Sequence, residues 1–202
     1  MTNQTATRSA SIERRTGETD VRLSLTLEGS GAGTRETGVG FLDHMLDLLA
    51  RHGRLDLDVK VSGDLETGAH HTAEDTAIVL GQALDQALGD RSGIVRYGTA
   101  TVPMDEARAT CSIDISGRPF TVFDAELPPG ATGGFEHELT EEFFRALANA
   151  AKLTLHLRVE AGTNAHHMIE AAFKSFARAL RQAVTIDPDE RGVPSTKGTL
   201  TA

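Results

Sequence analysis

Apolar and polar residues change period several times along the first half of the chain. Residues 18–28 alternate apolar and polar side chains, which predicts a half-buried strand. Residues 41–49 carry apolar side chains at helical spacing, and residues 55–61 alternate again. A helix is predicted over residues 71–88, where Gly89 supplies a stop signal. The predicted order is strand, helix, strand, helix.

The second half repeats this order of elements. A strand is predicted over residues 107–115, a helix over 141–151, an alternating strand over 153–159 and a helix over 167–184. Matching strands and helices at similar spacing indicate an internal duplication.

The repeated pattern predicts the fold class. We expect an α+β protein of two tandem similar βα units, each a sheet with helices on one face, packed into one layered domain. Residues 1–93 form the first half, and residues 94–202 form the second half with a C-terminal loop segment after Pro188. No linker rich in proline, glycine or serine separates the halves, so we expect one compact body.

The composition of the chain indicates which classes of binding partner to expect. The chain has 202 residues, of which 39% are hydrophobic, enough to bury a core. Its net charge is −9 and no lysine–arginine run exceeds two residues, so we expect no nucleic-acid partner. Apolar runs are short and the polar N-terminal stretch, residues 1–11, lacks a signal sequence, so we expect no membrane partner and a cytoplasmic location.

One unusual motif occurs twice. His70-His71-x-x-Glu74 recurs 96 residues later as His166-His167-x-x-Glu170. Each motif lies at the start of a predicted helix, so its three polar side chains project from one turn. Imidazole nitrogens and carboxylate oxygens brought together in this way are metal ligands.

A further histidine belongs to each half. His44 lies in the first predicted helix and His137 precedes the corresponding helix of the second half, so each half offers three histidines and one glutamate. The eight predicted metal ligands are His44, His70, His71, Glu74, His137, His166, His167 and Glu170. Such donors suit two divalent first-row ions with open positions for catalysis, and the absence of thiolates disfavours a structural zinc site.

Further motifs occur along nearly the whole chain: Arg15-Thr16-x-Glu18-Thr19, Gly40-Phe-Leu-Asp-His44-Met45, Gly68-x-His70-His71-x-x-Glu74-Asp75, Arg96-Tyr-Gly, Pro103-Met-Asp105-Glu106-Ala107, Ser116-Gly-Arg118-Pro119, His166-His167-x-x-Glu170-Ala171-x-Phe173-Lys174 and Pro194-Ser195-Thr196-Lys197-Gly198. Together they resemble the motifs of the imidazoleglycerol-phosphate dehydratase family. The resemblance implies a ribosomal protein S5 domain 2-like fold, two Mn²⁺ ions per active site, and a 24-subunit homo-oligomer with sites at subunit interfaces.

The resemblance also implies a lyase of histidine biosynthesis that dehydrates imidazole glycerol phosphate to imidazole acetol phosphate. The carbon that loses a proton has no adjacent carbonyl, so metal ions bound to the substrate imidazole would supply its acidity. Glu18 is the first candidate for general acid/base and substrate contact, Asp105 is the second, and Glu170 could alternate between ligand and base. The candidate phosphate-binding residues are Arg96, Arg118, Ser195, Thr196 and Lys197.

Other function classes stay open at this point. A metal-storage shell would use the same histidines and glutamates but would give no role to the arginines and the Ser-Thr-Lys segment. A binuclear metal hydrolase could use a similar set of ligands. An RNA-binding module of ribosomal-protein type is opposed by the acidic balance.

Overall fold

The chain forms two four-stranded sheets and four α-helices in the computed structural model, which describes residues 7–200. Residues 1–6 of the polar N-terminal stretch and residues 201–202 lie outside the described residues. The elements in chain order are β1 (Ser9–Arg15), β2 (Thr19–Thr26), β3 (Arg35–Glu36), α1 (Gly40–Gly53), β4 (Asp56–Gly63), α2 (His70–Leu88), β5 (Tyr97–Met104), β6 (Ala107–Asp114), β7 (Phe120–Asp124), β8 (Ala131–Thr132), β9 (Phe135–Glu136), α3 (Leu139–Ala151), β10 (Thr154–Ala161) and α4 (Ala165–Val184).

The two sheets share one topology. The first has the strand order β1-β2-β4-β3 and the second has the order β5-β6-β10-β7. In both, the first three strands are antiparallel and the last strand is parallel to its neighbour. Two equivalent sheets in sequence order confirm the predicted duplication and the α+β class. The exact division between residues 93 and 94 stays a prediction.

Each sheet buries one face. Alternate residues of β2, among them Val21, Leu23 and Leu25, are fully enclosed, while their neighbours are exposed. The same alternation buries Ala109 and Cys111 in β6. A two-residue side-chain period thus directs one row of each strand to the helices and the other to solvent.

The helices lie between the sheets and pack across the two halves. Helix α2 contacts the first sheet and α3, whereas α4 contacts the second sheet and α1. One continuous hydrophobic core therefore contains residues of both halves. The crossing of α2 and α3 is close at Gly81, where a Cβ would lie 2.5 Å from the carbonyl oxygen of Leu147.

Several strands do not stand out in the sequence. β1, β5 and β7 are edge-side strands with few buried residues, so the apolar alternation that marks a strand is weak there. β3, β8 and β9 have two residues each, too short for a periodic signal. The predicted irregular C-terminal segment is confirmed, since no helix or strand follows Val184 among the described residues.

None of the helices in residues 7–200 is both long and apolar enough to cross a membrane.

We expect Gly81→Ala to destabilise the fold although alanine favours helices. The added methyl group would meet the backbone of α3, and overpacking of this kind costs about 1–3 kcal/mol, against a gain of about 1 kcal/mol in helix propensity. Urea denaturation compares it with Gly40→Ala in α1, where a Cβ meets nothing within 4 Å. Equal stability of the two variants would contradict the close helix crossing.

Candidate metal and anion sites

Three of the eight predicted ligands meet where α1 packs on α4. The donor atoms of His44, His166 and Glu170 all lie within 4.8 Å of one another. Glu170 Oε2 is 3.4 Å from His44 Nε2 and 3.1 Å from His166 Nε2. One carboxylate oxygen and two imidazole nitrogens thus face a common point, which is the arrangement of a partial metal site.

Glu170 is buried yet ionised. Its side chain is only 8% exposed, and Lys174 Nζ lies 2.5 Å from Oε1. Burial opposes ionisation, but the hydrogen bond and positive charge of Lys174 outweigh it and lower the pKa of the Glu170 carboxyl. One oxygen is therefore neutralised by lysine, while the other points to the histidines.

His44 lies with ligands of the other half. It comes from the first half of the chain but lies beside the predicted second-half ligands His166 and Glu170, a division that the sequence had left open. The reason is the packing of α1 against α4 across the halves.

His137 is also placed across the halves. It and His70 line one cavity of about 780 Å³. The His137 Nδ1–H donates to the carbonyl of Pro128 at 2.7 Å, so its Nε2 accepts from the hydroxyl of Thr132 at 2.9 Å. His137 is thus held firmly in place at the cavity wall.

The first histidine doublet lies at the start of α2 and is accessible. His70 Nε2 is 3.7 Å from Glu74 Oε2, and the His70 side chain is 54% exposed. His71 Nδ1 lies 3.0 Å from Asp64, and its Nε2 lies 3.6 Å from Glu18 Oε1. The hydrogen bond that His71 donates to the Asp64 carboxylate raises the pKa of His71. Among residues 7–200, no third metal-ligand donor converges with His70 and Glu74.

The second doublet has a similar environment. His167 Nδ1 lies 2.7 Å from Glu106 Oε2, and its Nε2 lies 3.7 Å from Asp105 Oδ2. Hydrogen bonds from His167 and from the backbone N–H groups of Asn164 and Thr163 lower the pKa of Glu106 to about 2. Glu18 and Asp105, the two predicted acid/base residues, therefore each face the Nε2 side of a doublet histidine.

Among residues 7–200, only one set of three metal-ligand donors converges. The remaining five predicted ligands lie in smaller groups: His70 with Glu74, and His71, His137 and His167 apart from them.

The five predicted phosphate-binding residues line one cavity. Its volume is about 670 Å³, and its lining includes Arg96, Arg118, Ser195, Thr196 and Lys197. None of the eight predicted metal ligands is part of this lining. The cavity combines three cationic side chains, Arg96, Arg118 and Lys197, with hydroxyl groups and one carboxylate, Glu190, and this excess of positive charge suits an anionic oxygen ligand.

Arg96 is already engaged within the cavity wall. It makes two contacts with Asp114, at 2.7 and 3.1 Å, and donates to the carbonyl of Pro194 at 2.8 Å. A second arginine, Arg91, is 1% exposed and joins Asp85 to the carbonyl of Leu200. These two guanidinium groups hold the C-terminal segment on both sides of Ser195, Thr196 and Lys197.

Sequence reasoning missed several polar neighbours of the site. Lys174 follows Glu170 by four residues on one helix, so the i, i+4 rule could have identified the pair. Asp64 and Glu106 could not be identified in this way, because a strand end and a turn bring them to the histidines through tertiary structure.

Known proteins match this chain over nearly its full length. A family model described as imidazoleglycerol-phosphate dehydratase matches residues 37–180. The imidazoleglycerol-phosphate dehydratase of Moorella thermoacetica is 56% identical over 96% of this chain and 98% of its own. That of Acetivibrio thermocellus is 57% identical over 94% of this chain and 97% of its own. The chain belongs to the imidazoleglycerol-phosphate dehydratase family.

Solved structures of imidazoleglycerol-phosphate dehydratases share the fold. The enzyme of Staphylococcus aureus has a TM-score of 0.81 and 42% identity, covering 89% of this chain and 99% of its own. That of Pyrococcus furiosus has a TM-score of 0.80 and 36% identity, covering 93% and 99%. The segment matched by the family model contains all eight predicted metal ligands but neither Glu18 nor residues 195–197.

We expect Lys174→Met to destabilise the protein at neutral pH more than in acid. The pKa of Glu170 is lowered by the fold, so the ionised pair stabilises above the unfolded pKa of glutamate, and this contribution is lost as the pH falls through the lowered value. Urea denaturation should show a difference from the wild type that is full at pH 7 and narrows as the pH falls below about 4.3, the ordinary pKa of glutamate. Lys174→Arg retains the charge and is the control. A pH-independent difference would contradict the electrostatic role.

Proposed function

We propose that the chain dehydrates imidazole glycerol phosphate to imidazole acetol phosphate, a step of histidine biosynthesis. One observation carries this proposal: the chain has both a cluster of imidazole and carboxylate donors and a separate cationic cavity. The substrate has an imidazole ring that can bind a metal and a phosphate that can bind cations. A metal-storage shell has no use for the cationic cavity, and a binuclear hydrolase is the alternative that the assay below separates.

The donor set fits first-row divalent metals. His44, His166 and Glu170 provide nitrogen and oxygen atoms without thiolate, and Glu170 is ionised through Lys174. We infer two manganese ions for each active site, with the eight predicted residues as protein ligands. When bound, the ions act as Lewis acids toward the substrate imidazole and so acidify the neighbouring carbon.

Proton transfer falls to groups beside the ligands. Glu18 is 55% exposed and its Oε1 lies 3.6 Å from His71 Nε2, so it can exchange protons with water while facing the metal side of the doublet. Asp105 has the equivalent position near His167. Glu18 is therefore our first choice for general acid/base and Asp105 our second, with Glu170 as a ligand that can also accept a proton.

The phosphate would lie in the cationic cavity. Arg118 and Lys197 can offer charge, and Ser195 and Thr196 can offer hydroxyl and backbone hydrogen bonds. Arg96 contributes to this cavity mainly by donating hydrogen bonds to Asp114 and to the Pro194 carbonyl. Its remaining guanidinium N–H groups can donate to the phosphate.

The protein would be a homo-oligomer, of 24 subunits by family resemblance, with active sites at interfaces. Support comes from the small donor groups, because within residues 7–200 of the same chain no third ligand converges with the exposed His70 and Glu74. A neighbouring chain can complete such sites in a symmetric assembly. The cytoplasmic location expected from the sequence stays a prediction.

We expect removal of metal by a chelator to abolish dehydration and Mn²⁺ to restore it. His166→Ala should lose at least about 100-fold in kcat/KM because it removes a nitrogen that faces Glu170. Formation of the ketone product from imidazole glycerol phosphate is the measurement. His156→Ala removes an exposed histidine of β10; this variant is the matched control and should retain activity. Full activity of chelated protein would contradict the metal-dependent mechanism.

We expect Lys197→Ala to raise KM about tenfold or more, since a charged hydrogen bond to phosphate contributes about 1.5–3 kcal/mol. Steady-state kinetics measure the change. Lys60→Ala removes an exposed lysine of β4 whose ion pair is with the exposed Glu36, and the KM of this variant should equal that of the wild type. An unchanged KM in Lys197→Ala would remove this residue from the phosphate site.

A further inference from the structure

The second histidine of each doublet makes the same contact with a carboxylate. His71 Nδ1 lies 3.1 and 3.0 Å from the two oxygens of Asp64. His167 Nδ1 lies 2.7 Å from Glu106 Oε2. In both halves the Nε2 atom faces the opposite way, toward Glu18 or Asp105.

The two carboxylates come from different elements of the duplicated fold. Asp64 directly follows β4, and the residue that directly follows the equivalent strand β10 is Gly162, which has no side chain. Glu106 directly precedes β6, and the residue that directly precedes the equivalent strand β2 is Glu18, which faces His71 Nε2 instead. The two halves thus reach one contact by separate routes, so the contact was not simply copied with the repeat.

This contact determines the tautomer of each histidine. An ionised carboxylate only accepts hydrogen bonds, so the Nδ1–H of each imidazole donates to it. In the neutral ring the lone pair is then on Nε2, the nitrogen available to a metal ion. A carboxylate in this position also fixes the ring orientation and raises its basicity as a ligand.

We propose that Asp64 and Glu106 are matched positioning residues, which hold His71 and His167 in the tautomer and orientation that bind a divalent metal through Nε2. This inference rests on the proposed function, in which both histidines are metal ligands.

The two oxygens of Glu106 have separate partners. Oε1 accepts from the backbone N–H groups of Thr163 and Asn164, at 3.2 and 2.9 Å, immediately before α4. Oε2 accepts from His167. In Glu106→Gln the amide oxygen stays with the two backbone donors, so the amide NH₂ faces His167 Nδ1. That nitrogen must then accept, and its proton moves to Nε2, where it blocks metal binding.

Asp64 provides a built-in comparison. Both of its oxygens face the same nitrogen of His71, so Asp64→Asn can turn its carbonyl oxygen to accept the Nδ1–H. Asp64→Leu removes the acceptor altogether. We therefore expect opposite behaviour from the two amide variants, mild for Asp64→Asn and severe for Glu106→Gln.

The test is Mn²⁺ binding to the full-length, metal-free protein, measured through the electron paramagnetic resonance signal of the unbound ion. We expect Glu106→Gln to bind at least tenfold more weakly than the wild type, and also more weakly than Glu106→Ala, which leaves the tautomer free. Asp64→Leu should lose about tenfold and Asp64→Asn less than about threefold. Glu160→Gln, a carboxylate bound to Arg108 and Thr110 away from the histidines, should bind as the wild type does.

A purely structural role for Glu106 predicts the reverse order, because glutamine keeps the contact with the start of α4 and alanine does not. Wild-type affinity in Glu106→Gln, or affinity above that of Glu106→Ala, would overturn the inference. Should Glu106→Gln fail to fold, wild-type affinity in Asp64→Leu would overturn it equally. His167→Ala separates the two proposals. Unchanged Mn²⁺ affinity in His167→Ala would show that His167 is not a metal ligand, so the proposed function's ligand assignment fails. Weaker binding by His167→Ala together with wild-type affinity in Glu106→Gln would refute only the positioning role of Glu106.

Discussion

The packing of each half's helices against those of the other half is the constraint on which the candidate site depends. Because α1 lies on α4, His44 from the first half meets His166 and Glu170 from the second. The close approach of α2 and α3 at Gly81 fixes the other pair of helices. Burial between two sheets then makes this arrangement rigid, so the predicted metal ligands on these helices are held by the hydrophobic core.

Local electrostatics explain how an acidic chain can bind an anionic substrate. The net charge of −9 is spread over the molecule, but Arg118 and Lys197 converge on one cavity whose wall is held by Arg96. Binding depends on this local arrangement because surface charges farther away are screened within about 10 Å. In the cluster of His44, His166 and Glu170, Lys174 keeps Glu170 ionised in a buried position, where an isolated carboxyl would take up a proton.

The sequence predicted the central strands, the four helices and the duplication because buried faces impose a clear period on the residues that form them. It also indicated the histidine doublets, whose spacing is local to one helix turn. It did not predict the edge strand β1, which buries few side chains, nor the partner of His44, which depends on how helices from distant segments pack. Asp64 and Glu106 were beyond sequence reasoning for the same reason, since their contacts with His71 and His167 arise from the tertiary fold.

The central claim is that ligands from one chain are completed by those of a neighbour, and mixing two inactive variants tests it most directly. His44→Ala and His71→Ala chains would each be inactive alone, because every site lacks one ligand. Co-expressed in equal amounts, they should recover about a quarter of wild-type dehydratase activity, since random assembly leaves that share of interface sites with both histidines intact. No recovery from stable mixed oligomers would show that each chain uses its own His44 and His71 together, and would contradict the account.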